Sequence, residues 1–185
     1  MNPELQKLAE TLQQGAGLCP QQLVLGLEGC HLRIRSNSPE LIRQLEAYFD
    51  FVRCDAGDAD IEVIAIDSPV LDTGITFTDW SREPGKTGRK DAYHDLPGGR
   101  LVHKVRTGML FLQSEELRIA AGPCRQYDNQ VINFINSQYM NWLQQRDWLI
   151  CHAAALCSGN RGLAIAGFSG GGKSTLMLHI LERDR

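Results

Sequence analysis

The sequence lacks the features that mark membrane, secreted and zinc-ribbon proteins. No apolar run approaches the roughly 20 residues that a membrane-spanning helix needs. The segment from Met1 to Lys7 has neither the basic nor the apolar region of a secretion signal. The six cysteines include no Cys-x-x-Cys pair, which argues against a zinc ribbon or a thioredoxin-like site. We therefore expect a cytoplasmic protein with reduced thiols and no membrane contact.

The sequence also has little excess charge. Its 185 residues carry a formal net charge of −3, which gives no reason to expect a nucleic-acid partner. One segment departs from this balance, because residues 82–106 hold seven Lys and Arg against three acids. This basic segment could bind a phosphoryl group or an acidic partner protein, or it could be an ordinary solvated loop. Both interpretations stay open.

The first 145 residues have the pattern of an α+β region. Leu5, Leu8 and Leu12 lie on one stripe of a predicted helix. Ser38 and Pro39 form a strong helix start, with a capping hydroxyl followed by proline at the first helical position. Further elements are predicted as a β-hairpin at 23–35, strands at 61–66, 75–80, 101–105, 109–112 and 116–121, and a long helix from Asp128.

Residues 146–185 are organised differently. An apolar run at 148–157 and a turn precede a short buried strand at 163–166, which leads directly into a glycine-rich loop and then a helix. We expect an α/β protein in which an N-terminal α+β region, 1–145, is followed by the first part of a P-loop nucleotide-binding domain, 146–185.

The glycine-rich loop carries the full phosphate-binding pattern Gly-x-x-x-x-Gly-Lys-Ser, between a strand and a helix as that mechanism requires. Glycines let successive backbone N–H groups turn toward a phosphate, and the helix directs its positive end at the same anion. Lys173 is expected to reach the β- and γ-phosphates of ATP, Ser174 to bind Mg²⁺, and Thr175 to support them. The predicted nucleotide-binding residues are Gly167, Ser169, Gly170, Gly171, Gly172, Lys173, Ser174 and Thr175.

Three other interpretations of the glycine-containing motifs fit less well: a hydrolase nucleophile turn, a second P-loop and an ABC-type ATPase. Residues 167–171 also match Gly-x-Ser-x-Gly, the nucleophile turn of α/β-hydrolases, with Ser169 as nucleophile. That chemistry needs an acid and then a histidine further along, whereas His179 and Asp184 follow in the opposite order. The tripeptide at 85–87 resembles the end of a second P-loop, but no buried strand leads into it. ABC-type ATPases share the loop, though theirs lies near the start of the domain.

The residues ahead of the loop indicate which class of P-loop protein the sequence resembles. Ile150-Cys151-His152-Ala153-Ala154-Ala155-Leu156, a turn, and then the strand and loop that end at Thr175 resemble the HPr kinase/phosphorylase family, and most closely the HPr-kinase-related proteins. The resemblance covers about residues 148–183. It implies a P-loop domain similar to that of phosphoenolpyruvate carboxykinase, with His152 in the active site.

The resemblance implies a serine protein kinase that transfers the γ-phosphoryl group of ATP to a small partner protein, and assembly into oligomers. The acidic residues that would hold Mg²⁺ and activate the acceptor serine belong after Arg185 in this pattern, so we expect the sequence to be part of a longer protein. The alternative is a nucleotide-binding or regulatory protein without transferase activity. A histidine on an apolar strand can also be a core residue, which leaves the role of His152 open.

Overall fold

The computed structural model describes residues 2–55, 57–81 and 91–183. The chain divides into two compact units, Met1–Asn141 and Trp142–Arg185. Each unit is a mixture of helices and strands, so the chain is a mixed α/β protein with its large sheet in the first unit. Among the described residues, no helix has the length and apolar character needed to cross a bilayer.

Among its described residues, the first unit has eight strands and the helices α1, α2 and α3, the last of which extends past Asn141. A single 3-10 turn, Asp50–Val52, follows α2. The element bounds are α1 Pro3–Gln13, β1 Gln22–Leu27, β2 Cys30–Ser36, α2 Pro39–Tyr48, β3 Ile61–Asp67, β4 Thr78–Asp79, β5 Asp91–Leu96, β6 Gly99–Lys104, β7 Met109–Ser114, β8 Arg118–Gly122 and α3 Asp128–Gln144.

The strands form one sheet in the order β1-β2-β3-β8-β7-β6-β5-β4. The neighbours β2–β3 and β3–β8 pair in parallel, whereas the other neighbours pair antiparallel. The strand predicted at 75–80 is present only at Thr78 and Asp79, which pair with β5. The amide of Trp80 also donates to the carbonyl of Asp91 at 3.2 Å. Ile75 and Phe77 pack instead against the core cluster beside α1, because their apolar side chains gain more from that burial than from an edge position.

Helix α1 covers one face of this sheet. Its leucine stripe, Leu5, Leu8 and Leu12, is buried as predicted. The stripe packs on apolar side chains that alternate along the strands and therefore share that face. These sheet residues are Ile66, Leu101, Leu110, Leu112, Ile119 and Ala121.

The other face of the sheet carries apolar residues under α2 and α3. Ser38 caps α2 as predicted, since its hydroxyl accepts a hydrogen bond of 3.2 Å from the backbone N–H of Leu41. On α3, the ring of Phe134 stacks on Phe111 of β7 with 4.8 Å between ring centroids. The sheet thus has helices on both faces, which gives the first unit its buried core.

After the last residues of α3, the described part of the second unit contains β9 (Ala153–Ser158), β10 (Arg161–Ala166) and α4 (Lys173–Arg183). The two strands form an antiparallel hairpin, and α4 contacts both of them. The prediction that the strand at 163–166 is buried is wrong, because Leu163 is 51% exposed. Two strands and one helix enclose little apolar surface among the described residues, so the apolar sequence of β10 did not translate into burial.

Candidate functional site

The predicted phosphate-binding loop lies between β10 and α4. Strand β10 ends at Ala166, the loop occupies residues 167–172, and α4 begins at Lys173. Gly170 and Gly172 have φ values of +78° and +77°. These left-handed conformations are strained for residues with a side chain, so glycine allows the loop to turn back on itself.

The loop is closed by its own hydrogen bonds. The amide of Gly171 donates to the carbonyl of Phe168 at 3.1 Å, and the amide of Leu176 donates to the carbonyl of Gly172 at 2.8 Å. A Cβ atom on Gly171 would lie 3.0 Å from the carbonyl oxygen of Phe168. The tight turn at 168–171 therefore needs glycine at 171 because of this close contact. The φ angle of Gly171 is not left-handed and is not the reason.

Lys173 reaches across the loop from the first residue of α4. Its Nζ lies 3.0 Å from the carbonyl oxygen of Gly167 and 3.0 Å from that of Phe168. The ammonium is thus held over the loop, where an anion bound to the loop would meet it. These two carbonyls are site features that the sequence pattern did not identify, because the pattern specifies backbone N–H donors and says nothing of acceptors.

Ser174 and Thr175 occupy the first turn of α4, and both are exposed. The first N–H groups of a helix have no acceptor within the helix, and the helix dipole places partial positive charge at this end. Ser169 and Gly170 lie in the exposed part of the loop just ahead of it. The geometry therefore offers backbone donors, a hydroxyl and an ammonium within one short segment, a set that suits phosphate and a hydrated cation.

His152 lies at the same end of the hairpin as the loop. Ala153, the first residue of β9, pairs with Ala166, the last residue of β10. Continuing that register by one residue sets His152 opposite Gly167, and the side chain of His152 is exposed. The strand pairing therefore brings His152 to the edge from which the loop begins, and it does so without burying the histidine.

Acidic residues are few in the described part of this unit. They are Asp147, which precedes β9, and Glu182 in the last turn of α4. Helix α4 has 11 residues and is about 16 Å long, so Glu182 is at the opposite end of α4 from the loop. Among the described residues, no group of three or more His, Cys, Asp or Glu side chains could hold a metal ion. Ser174 is the side chain here that fits the proposed role of Mg²⁺ ligand.

The hydrolase interpretation finds no support in the placement of its residues. His179 lies on α4 itself and faces Glu182, with 3.6 Å between Nδ1 of the histidine and a carboxylate oxygen. Asp184 lies outside the described residues. As a nucleophile, Ser169 would need a general base on a separate element. His179 lies about two turns along α4 and cannot approach Ser169, which precedes that helix.

The basic segment at 82–106 falls partly outside the described residues, since 82–90 are not among them, and the tripeptide at 85–87 lies there too. In the described part, Arg100 forms two hydrogen bonds with Asp95 and Lys104 forms an ion pair of 2.8 Å with Asp91. These two of the three described cations are already neutralised by neighbouring carboxylates, whereas Arg106 is exposed. The described part of the segment therefore gives less support to a phosphoryl-binding role than the charge count did.

No protein-family model matches the chain, and no match was found among curated proteins or among solved structures.

Proposed function

We propose that the second unit binds ATP with Mg²⁺ through the loop at 167–175, and that the protein is a serine protein kinase related to HPr kinase. The observation that carries the proposal is the position of the Lys173 ammonium, 3.0 Å from the carbonyls of Gly167 and Phe168, above a loop turned by left-handed glycines. A triphosphate on the loop amides would contact this ammonium, since the lysine of a P-loop serves the β- and γ-phosphates.

Bound Mg²⁺ would neutralise phosphate charge and draw electron density from the γ-phosphoryl group. The residues of this chain then have distinct tasks. The loop amides and Lys173 would hold the phosphates, the Ser174 hydroxyl would bind the cation, and His152 would orient the acceptor or the γ-phosphate from the neighbouring strand end. The acceptor would be a serine of a small partner protein.

Nucleotide binding is tested with Lys173→Ala in the full chain, by calorimetric titration with ATP and Mg²⁺. Loss of a charge-assisted contact to phosphate is worth about 1.5–3 kcal/mol, so we expect a drop in affinity of about tenfold to a hundredfold. Lys7→Ala is the matched control, because Lys7 is an exposed lysine on α1 of the other unit. Equal ATP affinity in the wild-type protein and the Lys173 variant would refute the site.

Phosphoryl transfer needs a separate test, since a protein that only binds nucleotide would pass the first one. The sparse acidic residues near the loop are the specific observation in favour of that alternative. We expect transfer from γ-labelled ATP to a serine of a small partner protein, with HPr as the first acceptor tried, and loss of this transfer in His152→Gln. ATP binding without transfer would identify a regulatory nucleotide-binding protein. Unchanged ATP affinity in His152→Gln would assign its role to the acceptor, and decreased affinity would assign it to the γ-phosphate. Unimpaired transfer in this variant would contradict both roles.

A further inference from the structure

A strongly acidic stretch of the first unit runs from the end of α2 to the start of β3. Residues 46–60 hold five acids and one cation, Arg53, which gives a net charge of −4. This arginine already pairs with a carboxylate of α2 at 3.5 Å. The neighbouring strands β2 and β3 add Arg33, Arg35 and Glu62, and the glutamate pairs with both arginines. With these three groups counted, the surface still has a net charge of −3.

The acidic stretch forms a groove along the outer edge of β1. The amide of Cys54 donates to the carbonyl of Val24 at 3.1 Å, which ties the stretch to this edge strand. The groove between them has a volume of about 650 Å³, and the carboxylates of Glu46, Asp50 and Asp55 line it. We call this feature the acidic groove. Its charge selects a cationic occupant.

Two exposed aromatic side chains belong to the same stretch. Tyr48 is 52% exposed and Phe51 is 81% exposed. The side chains of lysine and arginine pack their aliphatic stems along apolar surface and keep the charged head free for a carboxylate. Aromatic rings beside carboxylates therefore suit a segment rich in lysine and arginine.

The opposite edge of the same sheet is basic. Residues 78–106, which contain β4, β5 and β6, hold seven Lys and Arg against four acids, a net charge of +3. Two of these cations pair with Asp91 and Asp95, and four of the other five lie at 82–90. Trp80, just before that segment, is 48% exposed. This basic edge therefore complements the acidic groove in charge and also carries an exposed aromatic ring.

The two edges are far apart within one copy of the chain. Strands β1 and β4 are the outermost of eight, so seven strand spacings, or about 34 Å along the sheet, separate them. The segment at 82–90 leaves the sheet after Ser81 and returns at Asp91, the first residue of β5. A chain of this length, extended out and back, reaches no more than about 18 Å from its own edge. Contact between the two surfaces therefore requires two copies.

We propose that the acidic groove is a docking site for the segment at 82–90 of a second copy of this chain. The lysine and arginine heads reach the carboxylates of the groove, and their stems pack along Phe51. Each copy carries both surfaces, so the contact is head to tail. Repetition of such a contact gives a closed ring or an open chain of copies and not a two-fold dimer. Docking uses the first unit alone and does not depend on nucleotide binding.

Sedimentation velocity on the full chain, without nucleotide, tests the proposal. We expect reversible association as the protein concentration rises at about 0.1 M salt. Association should be lost at about 1 M salt, where charges are screened beyond about 3 Å. A chain that stays monomeric up to about 1 mM, or association that salt leaves unchanged, would overturn the proposal.

Two charge-reversal variants test which surfaces meet. The groove variant carries Asp50→Lys and Asp55→Lys, and the segment variant carries Arg89→Glu and Lys90→Glu. Each variant by itself should associate at least about tenfold more weakly than the wild-type protein, because like charges then face each other. A loss in only one of the two variants would overturn the proposal, since the surface that still associates would have a different partner.

A mixture of the two variants is the decisive measurement. The intact segment of the groove variant can dock in the intact groove of the segment variant, so the equimolar mixture should associate although neither variant does alone. Recovery would also show that both variants are folded, and a mixture that stays monomeric would overturn the proposal. Glu4→Lys with Glu10→Lys is the matched control, because it makes the same charge change on the exposed side of α1. Equal weakening in this control would attribute association to net charge and would refute docking in the groove.

Discussion

The ammonium of Lys173 lies 3.0 Å from the carbonyl oxygen of Gly167, so the first residue of α4 reaches back to the residue that follows β10. This contact joins the two ends of the loop at 167–172 through a single side chain. A hydrogen bond from a charged donor is stronger than a neutral one, and a phosphate is a better partner for the ammonium than a neutral carbonyl. In the proposed site, a bound nucleotide would therefore replace these contacts and would not meet an unpaired lysine.

The first prediction concerns the backbone of the loop. Gly172 has φ +77°, and a Cβ atom at this position would meet no other atom within 4 Å, so Gly172→Ala introduces backbone strain without a collision. A left-handed conformation costs a residue with a side chain about 1–2 kcal/mol. We expect ATP affinity to fall by about tenfold, as measured by calorimetry.

The control for this variant is Gly162→Ala. Gly162 lies in β10, has open space around it and no left-handed φ. ATP affinity should be the same in this variant as in the wild-type protein. A decrease of similar size in both variants would show that the hairpin as a whole, rather than the conformation of the loop, limits nucleotide binding.

Local features of the fold were predictable from the sequence because neighbouring residues determine them. The cap at Ser38 needs a hydroxyl beside Pro39, and the structure shows the expected bond. The hairpin at 23–35 is confirmed, with Glu28 and Gly29 as its two-residue turn and Gly29 at φ +70°. The strand, loop and helix at the predicted phosphate site are present for the same reason.

Features that depend on distant residues were not predictable. Strand β3 pairs with β8 across more than 50 intervening residues, and no periodicity encodes which strands become neighbours. Gln138 is buried on α3, where its amide donates to the carbonyl of Phe134 at 3.3 Å, although its polarity predicts exposure. The exposure of β10 was not predicted. An apolar sequence indicates that a strand can be buried, but it does not indicate whether another element covers that strand.

The second prediction tests the cap of α2. Ser38 is buried, and its hydroxyl accepts the N–H of Leu41 at 3.2 Å. Ser38→Ala leaves that donor without its acceptor, and we expect a loss of about 1 kcal/mol in the free energy of unfolding. Chemical denaturation measures it. Ser158→Ala replaces an exposed serine of the second unit as a control, and a similar loss in that variant would contradict the assignment of the effect to the cap.

The third prediction tests the core under α1. Leu12 is fully buried among the apolar side chains of the sheet. Leu12→Ala should lower the free energy of unfolding of the first unit by about 2–5 kcal/mol, since removal of a buried leucine leaves a cavity. Leu178→Ala is the matched control, because Leu178 is 55% exposed on α4. Comparable destabilisation by the two variants would argue against α1 as part of the core.

The last prediction concerns the pH dependence of the Asp95–Arg100 pair. The hydrogen bond from Arg100 lowers the pKa of Asp95 below its ordinary value of 3.8. A carboxyl group whose pKa is lower in the folded state stabilises the fold above its unfolded pKa, and this contribution is lost as the pH falls through the folded pKa. The pair should therefore be intact at pH 5 and be lost only at pH values below about 3.8.

NMR titration of the Asp95 carboxyl carbon measures this pKa directly. Arg100→Gln should raise it toward 3.8, since the charged donor is gone. Arg106→Gln should leave it unchanged, because Arg106 lies in the turn at the other end of β6. A pKa of Asp95 that stays lowered in Arg100→Gln would show that another group holds the carboxylate.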